Sequence, residues 1–285
     1  MSFQKKSILV LLFSLIVFIF FIQFSRIDTL LLLPLRNAES FLNQSPFIIL
    51  NNVIIQQPSS SILIFLLALI TTLLGVEYLY YRTNDFSKWL GINFIFWGFG
   101  AFLAGLSYQS FGYYLKCVGY EYCVFTDWIE LLYMSFTVLS INALLVSYIY
   151  IIDSTKLQKV IRTYSLCSVI VYSLFQGLGI FLPNQFMVSY EGMLVFLSPN
   201  IIAMMWMSFK YINKSIHKKL ITLWILFLGV NVAYFVALFA QQGPYLQKHF
   251  DIWFNENDTL HVLLIFWMLV WRWKISPKEN DVERI

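Results

Sequence analysis

The sequence predicts an all-α fold, a polytopic bundle of eight transmembrane helices, and three observations predict it. Of 285 residues, 59% are hydrophobic and only 12% charged, about half the charge of an ordinary soluble domain. The apolar residues gather into eight runs, each close to the ~20 residues that a helix needs to cross ~30 Å of hydrocarbon. Finally, Lys and Arg alternate from side to side between those runs, as they do in membrane proteins whose inner loops are basic.

The first run, 7–24, follows Lys5 and Lys6. Its apolar core, 8–22, is long for a signal peptide, and Gln23, Phe24, Ser25 and Arg26 offer no small-x-small cleavage site. Residues 1–25 therefore read as an uncleaved anchor helix. Residues 26–60, with Pro34, Pro46 and Pro58, read as an extracytoplasmic loop. Its patches 38–42 and 47–50 are too short to span and are expected at the interface or over the bundle. A seven-helix core, 61–274, follows, with crossings at 61–81, 89–110, 127–151, 163–182, 188–209, 220–240 and 258–273. Pro183-Asn184-Gln185 separates the fifth crossing from the sixth. Residues 275–285 form a cytoplasmic tail.

With the amino terminus inside, only Arg26, Arg36, Lys116 and Lys248 of the 19 basic residues fall outside. Both termini are then cytoplasmic, in a plasma (inner) membrane. The net charge of +4 belongs to inner loops facing anionic headgroups, so membrane lipids are the expected partners and nucleic acid is not. Cys117 and Cys123 share an outer loop in an oxidising compartment, and their spacing leaves open a disulfide or two free thiols. Cys167, inside a crossing, reads as a small packing residue.

Polar residues inside the membrane divide by position. Glu77, near Arg82, reads as an anchor at a helix end. Asn93, Asn142, Gln176, Asn200 and Asn231 are expected to hydrogen-bond between helices, with Pro199 adding a kink. Gly98, Gly100, Gly105 and Gly112 suit close packing. The outer end is richer. One helix leaves through Gly105-Leu106-Ser107-Tyr108-Gln109, another enters through Asp127-Trp128-Ile129-Glu130, and the last enters through Asn257-Asp258-Thr259-Leu260-His261. Asp127 and Glu130 share a helix face at i,i+3, as Asn257 and His261 do at i,i+4. A pocket of Ser107, Gln109, Asp127, Glu130, Asn257, Asp258 and His261 is expected, with His261 within about 5 Å of the Asp127 or Glu130 carboxylate. Asp127 and Asp258 also stand where negative charge suits a helix amino terminus. A metal site would draw on His261 and Asp127, with Glu130 and His249 in reach. A metal-free relay would use Ser107, His261 and Asp127, with no nucleophile-elbow sequence behind it.

These outer residues resemble the CREST superfamily of seven-helix membrane hydrolases, the alkaline ceramidase and adiponectin receptor type. That family has a Ser and a His four apart near the end of its second helix, an Asp opening its third and a His-x3-His pair opening its last. Asp127 looks like the family Asp, His261 like the second His of the pair, and Ser107 falls close to its serine. Asn257 stands where the first His belongs, and Phe111 takes the Ser-x3-His position, with Gln109 beside it. The resemblance implies a zinc held by three His and a water aimed at a lipid amide. The missing His positions favour a non-catalytic or degenerate lipid-binding relative. Retained Asp127 and His261 keep open a lipid amide or ester hydrolase, with or without a metal.

Overall fold

A computed structural model describes residues 3–81 and 84–276. Eight long helices run up and down between two ends of one bundle: α1 Phe3–Gln23, α3 Pro58–Tyr80, α4 Asp85–Ala104, α6 Trp128–Tyr148, α7 Thr155–Phe181, α8 Tyr190–Lys210, α9 Ser215–Phe239 and α11 Glu256–Lys274. The short helices α2 Ala38–Leu42, α5 Gly112–Lys116 and α10 Gln242–Phe250 lie between them. Each apolar run becomes a helix because a backbone in hydrocarbon must satisfy its own N–H and C=O groups. The starts are written in the sequence as side-chain caps, from Asn84 on Ser87 N, Ser154 on Leu157 N and Ser189 on Gly192 N.

Seven of the eight are long and apolar enough to cross a membrane. The exception is α11, which carries Glu256 and Asp258 in its first turn and Arg272 and Lys274 in its last. Length and composition thus support seven of the eight crossings expected. The all-α expectation needs one addition: Phe47–Leu50 and Val53–Gln56 form an antiparallel hairpin, β1 and β2, turned by the left-handed Asn51 and Asn52. The β-branched Ile48, Ile49, Val53, Ile54 and Ile55 suit a strand better than a helix.

Helices α3 and α4 make the closest pair. A Cβ on Gly98 would lie 2.9 Å from the Ala68 carbonyl oxygen and collide with the Thr72 hydroxyl, and one on Gly75 would lie 2.8 Å from Ile95 N. Small residues here let the backbones touch, as the glycine reading expected for Gly98. Helix α11 runs parallel to α3 and also packs on α9, where Trp267 Nε1 donates to the Leu223 carbonyl at 2.8 Å. The anchor α1 lies on α7, with Phe21 seated over Gly177. Apolar side chains such as Leu90, Phe94, Leu220, Leu223 and Met268 fill the interior.

Several polar expectations are corrected. Of the intramembrane amides, Asn93 accepts from Ser140 at 2.8 Å and Gln176 accepts from Ser135 at 2.7 Å, both between helices. Asn142, Asn200 and Asn231 instead donate to carbonyls four residues back in their own helices, which a short amide does when no partner stands opposite. Glu77 is held by Arg272, in a two-point contact of 2.8 and 2.7 Å. Arg82, its expected neighbour, lies outside the described residues. Cys167 is exposed on the bundle surface, so it is not a packing residue of the interior.

Candidate functional site at the loop-rich end

The end of the bundle opposite Glu77 and Arg272 carries the predicted polar residues. It also carries the segment between α1 and α3, which pairs with the segment between α5 and α6: Leu32 N donates to the Cys123 carbonyl at 2.9 Å and Phe125 N to that of Leu30 at 2.7 Å. Cys117 and Cys123 form a disulfide. It closes the turn directly after α5 and so fixes Lys116, the last residue of that helix.

Beyond Ala104 the backbone of α4 widens into a π turn over Gly105–Ser110, a distortion that rotates the residues it carries. Ser107, Gln109 and Ser110 are thereby buried. The Ser107 hydroxyl donates to Asp127 Oδ2. Asp127 caps α6, its Oδ1 accepting from Ile129 N at 2.8 Å and Glu130 N at 3.0 Å. Both of its oxygens are therefore engaged. One turn on, Glu130 accepts from the Tyr108 hydroxyl through Oε1 and pairs with Lys116 through Oε2. The Lys116 ammonium also donates to the Phe125 carbonyl at 3.3 Å and sits 4.9 Å above the Tyr108 ring, so a buried cation and a buried anion neutralise each other.

The second cluster belongs to α11. Asn255 and Asp258 form a reciprocal capping box, Asp258 N donating to Asn255 Oδ1 at 3.0 Å and Asn255 N to Asp258 Oδ2 at 2.9 Å. Asp258 is 0% exposed. It also accepts from Ser60 at 2.7 Å and Ser59 at 3.0 Å, across the interface with α3. The next serine, Ser61, accepts from Ser110 at 2.9 Å and donates to the Gln56 carbonyl at 3.0 Å. Three consecutive serines thus bind α3 to both the last helix and the π turn. Sequence reasoning missed them. Their only signal was a polar triplet after Pro58, which reads equally well as a loop.

The predicted residues are therefore divided between two places. Ser107, Asp127 and Glu130 share one cluster; Asp258 lies in the other. His261, one turn deeper than Asp258, is 5% exposed, and its Nδ1 has no hydrogen-bond partner. No hydrogen bond or ion pair among the described residues joins it to Asp127 or Glu130, and the carboxylate acting on it is that of Asp258. The buried line on α11 is Asn255, Asp258, His261, whereas Asn257 is half-buried. Gln109 Oε1 is buried without a partner.

The other histidines are elsewhere. His217 is buried at the opposite end against the Ile151 carbonyl, 3.3 Å away, and His249 is exposed on α10, next to the Tyr245 carbonyl at 2.9 Å. Among the described residues no three His, Cys, Asp or Glu side chains gather as a metal ligand set. The recess at this end, about 480 Å³, is lined mainly by apolar side chains such as Val53, Leu106, Phe111 and Ile129. Chemically the arrangement holds charge in place rather than presenting it. Comparison with protein-family models, with curated proteins and with solved structures finds no match for the chain.

Proposed function

We propose that the protein is a non-catalytic, lipid-binding membrane protein whose loop-rich end is locked by buried carboxylates, a degenerate relative of the CREST-type hydrolases. One observation carries this reading: Asp127, Glu130 and Asp258 all spend both oxygens on caps, serines, a tyrosine or a lysine. All three are buried, at 6%, 4% and 0% exposure, so their oxygens face protein donors, whereas a general base or metal ligand must face substrate or ion. An eighth crossing by α11 is supported by its register on α3, whose first turn it meets at Asp258 and whose last turn it meets at Arg272; 19 residues of helix span about 28 Å. The basic residues of the Glu77 end and the disulfide of the other support a cytoplasmic face for the first and an oxidising compartment, outside a plasma membrane, for the second.

The hydrolase keeps one argument in its favour, the Ser107 to Asp127 hydrogen bond together with the unengaged Nδ1 of His261. Metal analysis and turnover separate the two. Purified protein is expected to carry no stoichiometric zinc and to leave N-acyl and ester lipids intact, and His261→Ala to lower folded yield without changing either result. One zinc per chain, with turnover abolished by His261→Ala, would overturn the proposal. For the orientation, a membrane-impermeant maleimide on intact cells is expected to label Cys117 and Cys123 after reduction and not before. Labelling that requires opened membranes would reverse the assignment of faces.

A further inference from the structure

Beneath α1 the bundle is not closed. The helix rests on α7 and touches α4 and α6 through Phe3 on Trp89 and Phe18 on Trp128, leaving between these contacts a crevice of about 270 Å³ lined by Phe3, Leu11, Trp89, Phe96, Asn142 and Ser165 among others. A second cavity of about 140 Å³ continues it past Ser14 and Phe18 toward Gln176. Leu11, Leu139 and Val169 border both. Together they fall at the lower end of the roughly 300–1,000 Å³ typical of ligand sites. Along α1 the lining runs from Phe3 to Phe18, a rise of about 22 Å, more than the ~15 Å depth of one leaflet's hydrocarbon, half of the ~30 Å core.

The walls are apolar but the crevice is not uniformly so. Its mouth, at the Glu77 end, includes Lys88 and Gln4, and Arg162 stands there with its guanidinium 5.6 Å above the Phe3 ring and its Nε buried without a partner. Lys5 and Lys6 lie on the first turns of α1. The carboxylate that shares the field at Tyr150 with Arg162 is Asp85, which is exposed, so the rim remains net basic. About one turn deeper than Arg162, Asn142 lines the cavity at 2% exposure with its Oδ1 unsatisfied, and farther in, Ser14 Oγ is also buried without a partner. Buried polar atoms of this kind are costly unless an occupant supplies their hydrogen bonds.

We infer that the crevice binds one anionic phospholipid of the inner leaflet, its acyl chain beneath α1 and its phosphate at Lys88 and Arg162. A neutral lipid would fill the walls but bring no anion to Lys88 and Arg162, and a soluble phosphate would satisfy those two but not the apolar length. The inference rests on the lipid-binding part of the function proposed above.

Delipidated full-length protein, offered phosphatidylglycerol and phosphatidylcholine of identical chains and weighed intact by native mass spectrometry, tests it. One phosphatidylglycerol per chain is expected, retained about tenfold or more over phosphatidylcholine, because each basic side chain near a lipid phosphate adds to binding. Lys88→Gln with Arg162→Gln should abolish the preference. Leu139→Trp should abolish retention of both lipids by filling the junction of the cavities; should that variant fold poorly, Leu11→Trp on the peripheral helix fills the same space from the other side. Equal retention of the two lipids by the parent, or unchanged retention after Leu11→Trp, would overturn the inference. Neither outcome bears on the absence of catalysis, which the zinc and turnover measurements decide.

Discussion

Replacing Asp258 by alanine is expected to remove about 4–7 kcal/mol of stability, combining a lost helix cap worth about 1 kcal/mol with two lost serine hydrogen bonds to a charged acceptor worth about 1.5–3 kcal/mol each. The size follows from how many groups converge on one carboxylate. Asp258 closes the capping box of α11 and accepts from Ser59 and Ser60 on α3, so alanine leaves Ser60, buried at 0% exposure, facing a cavity. Asp258→Asn keeps the shape and one acceptor oxygen, and roughly half of the loss is expected. Reversible unfolding in mixed micelles at fixed protein and lipid measures both variants. A loss under about 1 kcal/mol for Asp258→Ala would mean that the serines find other acceptors and that α11 is held by its apolar contacts alone.

The second large effect is expected at Lys116 and Glu130. Removing either partner alone, as Lys116→Met or Glu130→Gln, should cost about 3–5 kcal/mol, because the survivor is a buried charge with its counter-ion gone. The pair replaced together should cost far less, since the desolvation of both ions disappears with them. A double-mutant cycle on the oxidised protein therefore predicts strong coupling. Additive single effects would show that the Tyr108 hydroxyl and the Phe125 carbonyl, which also touch the pair, compensate each charge separately.

These two sites also mark the limit of what the sequence makes readable. The long helices are legible because hydrocarbon permits little else for twenty apolar residues, and charges at the ends of α11 made its polarity plain. Asp127 and Asp258 were legible as helix starts, and they are N-terminal groups of α6 and α11. Partners were not legible. A helix apolar all round carries no stripe to say which face turns inward, so nothing indicated that α11 would meet α3 and α9 and leave α6 to α4. The hydrogen bonds of Asp127 run to Ser107 and its own helix and those of Asp258 to α3, and among the described residues none joins His261 to Asp127. Lys116 was counted only as an outer charge, because it reaches Glu130 through a reversal that depends on Cys117 and Cys123 pairing, which spacing could not decide. Ser107 beside Asp127 was anticipated, whereas Ser59, Ser60 and Ser61 were hidden by being small and common.

The parallel contact of α3 and α11 is pinned at both ends, by Asp258 on Ser59 and Ser60 and by Arg272 on Glu77. Helices joined at one level can slide or scissor when the surrounding hydrocarbon thins; helices joined at two levels break one pin to do so. With α11 as the proposed eighth crossing, this pair sets a fixed apolar height, and a thinner or thicker bilayer must deform around it. Helix α1, lying on α7 over an incompletely filled crevice, is free of that constraint. Bilayer thickness should accordingly act on this protein through the tilt of α1 and the width of the space beneath it, leaving the α3 and α11 pair unmoved.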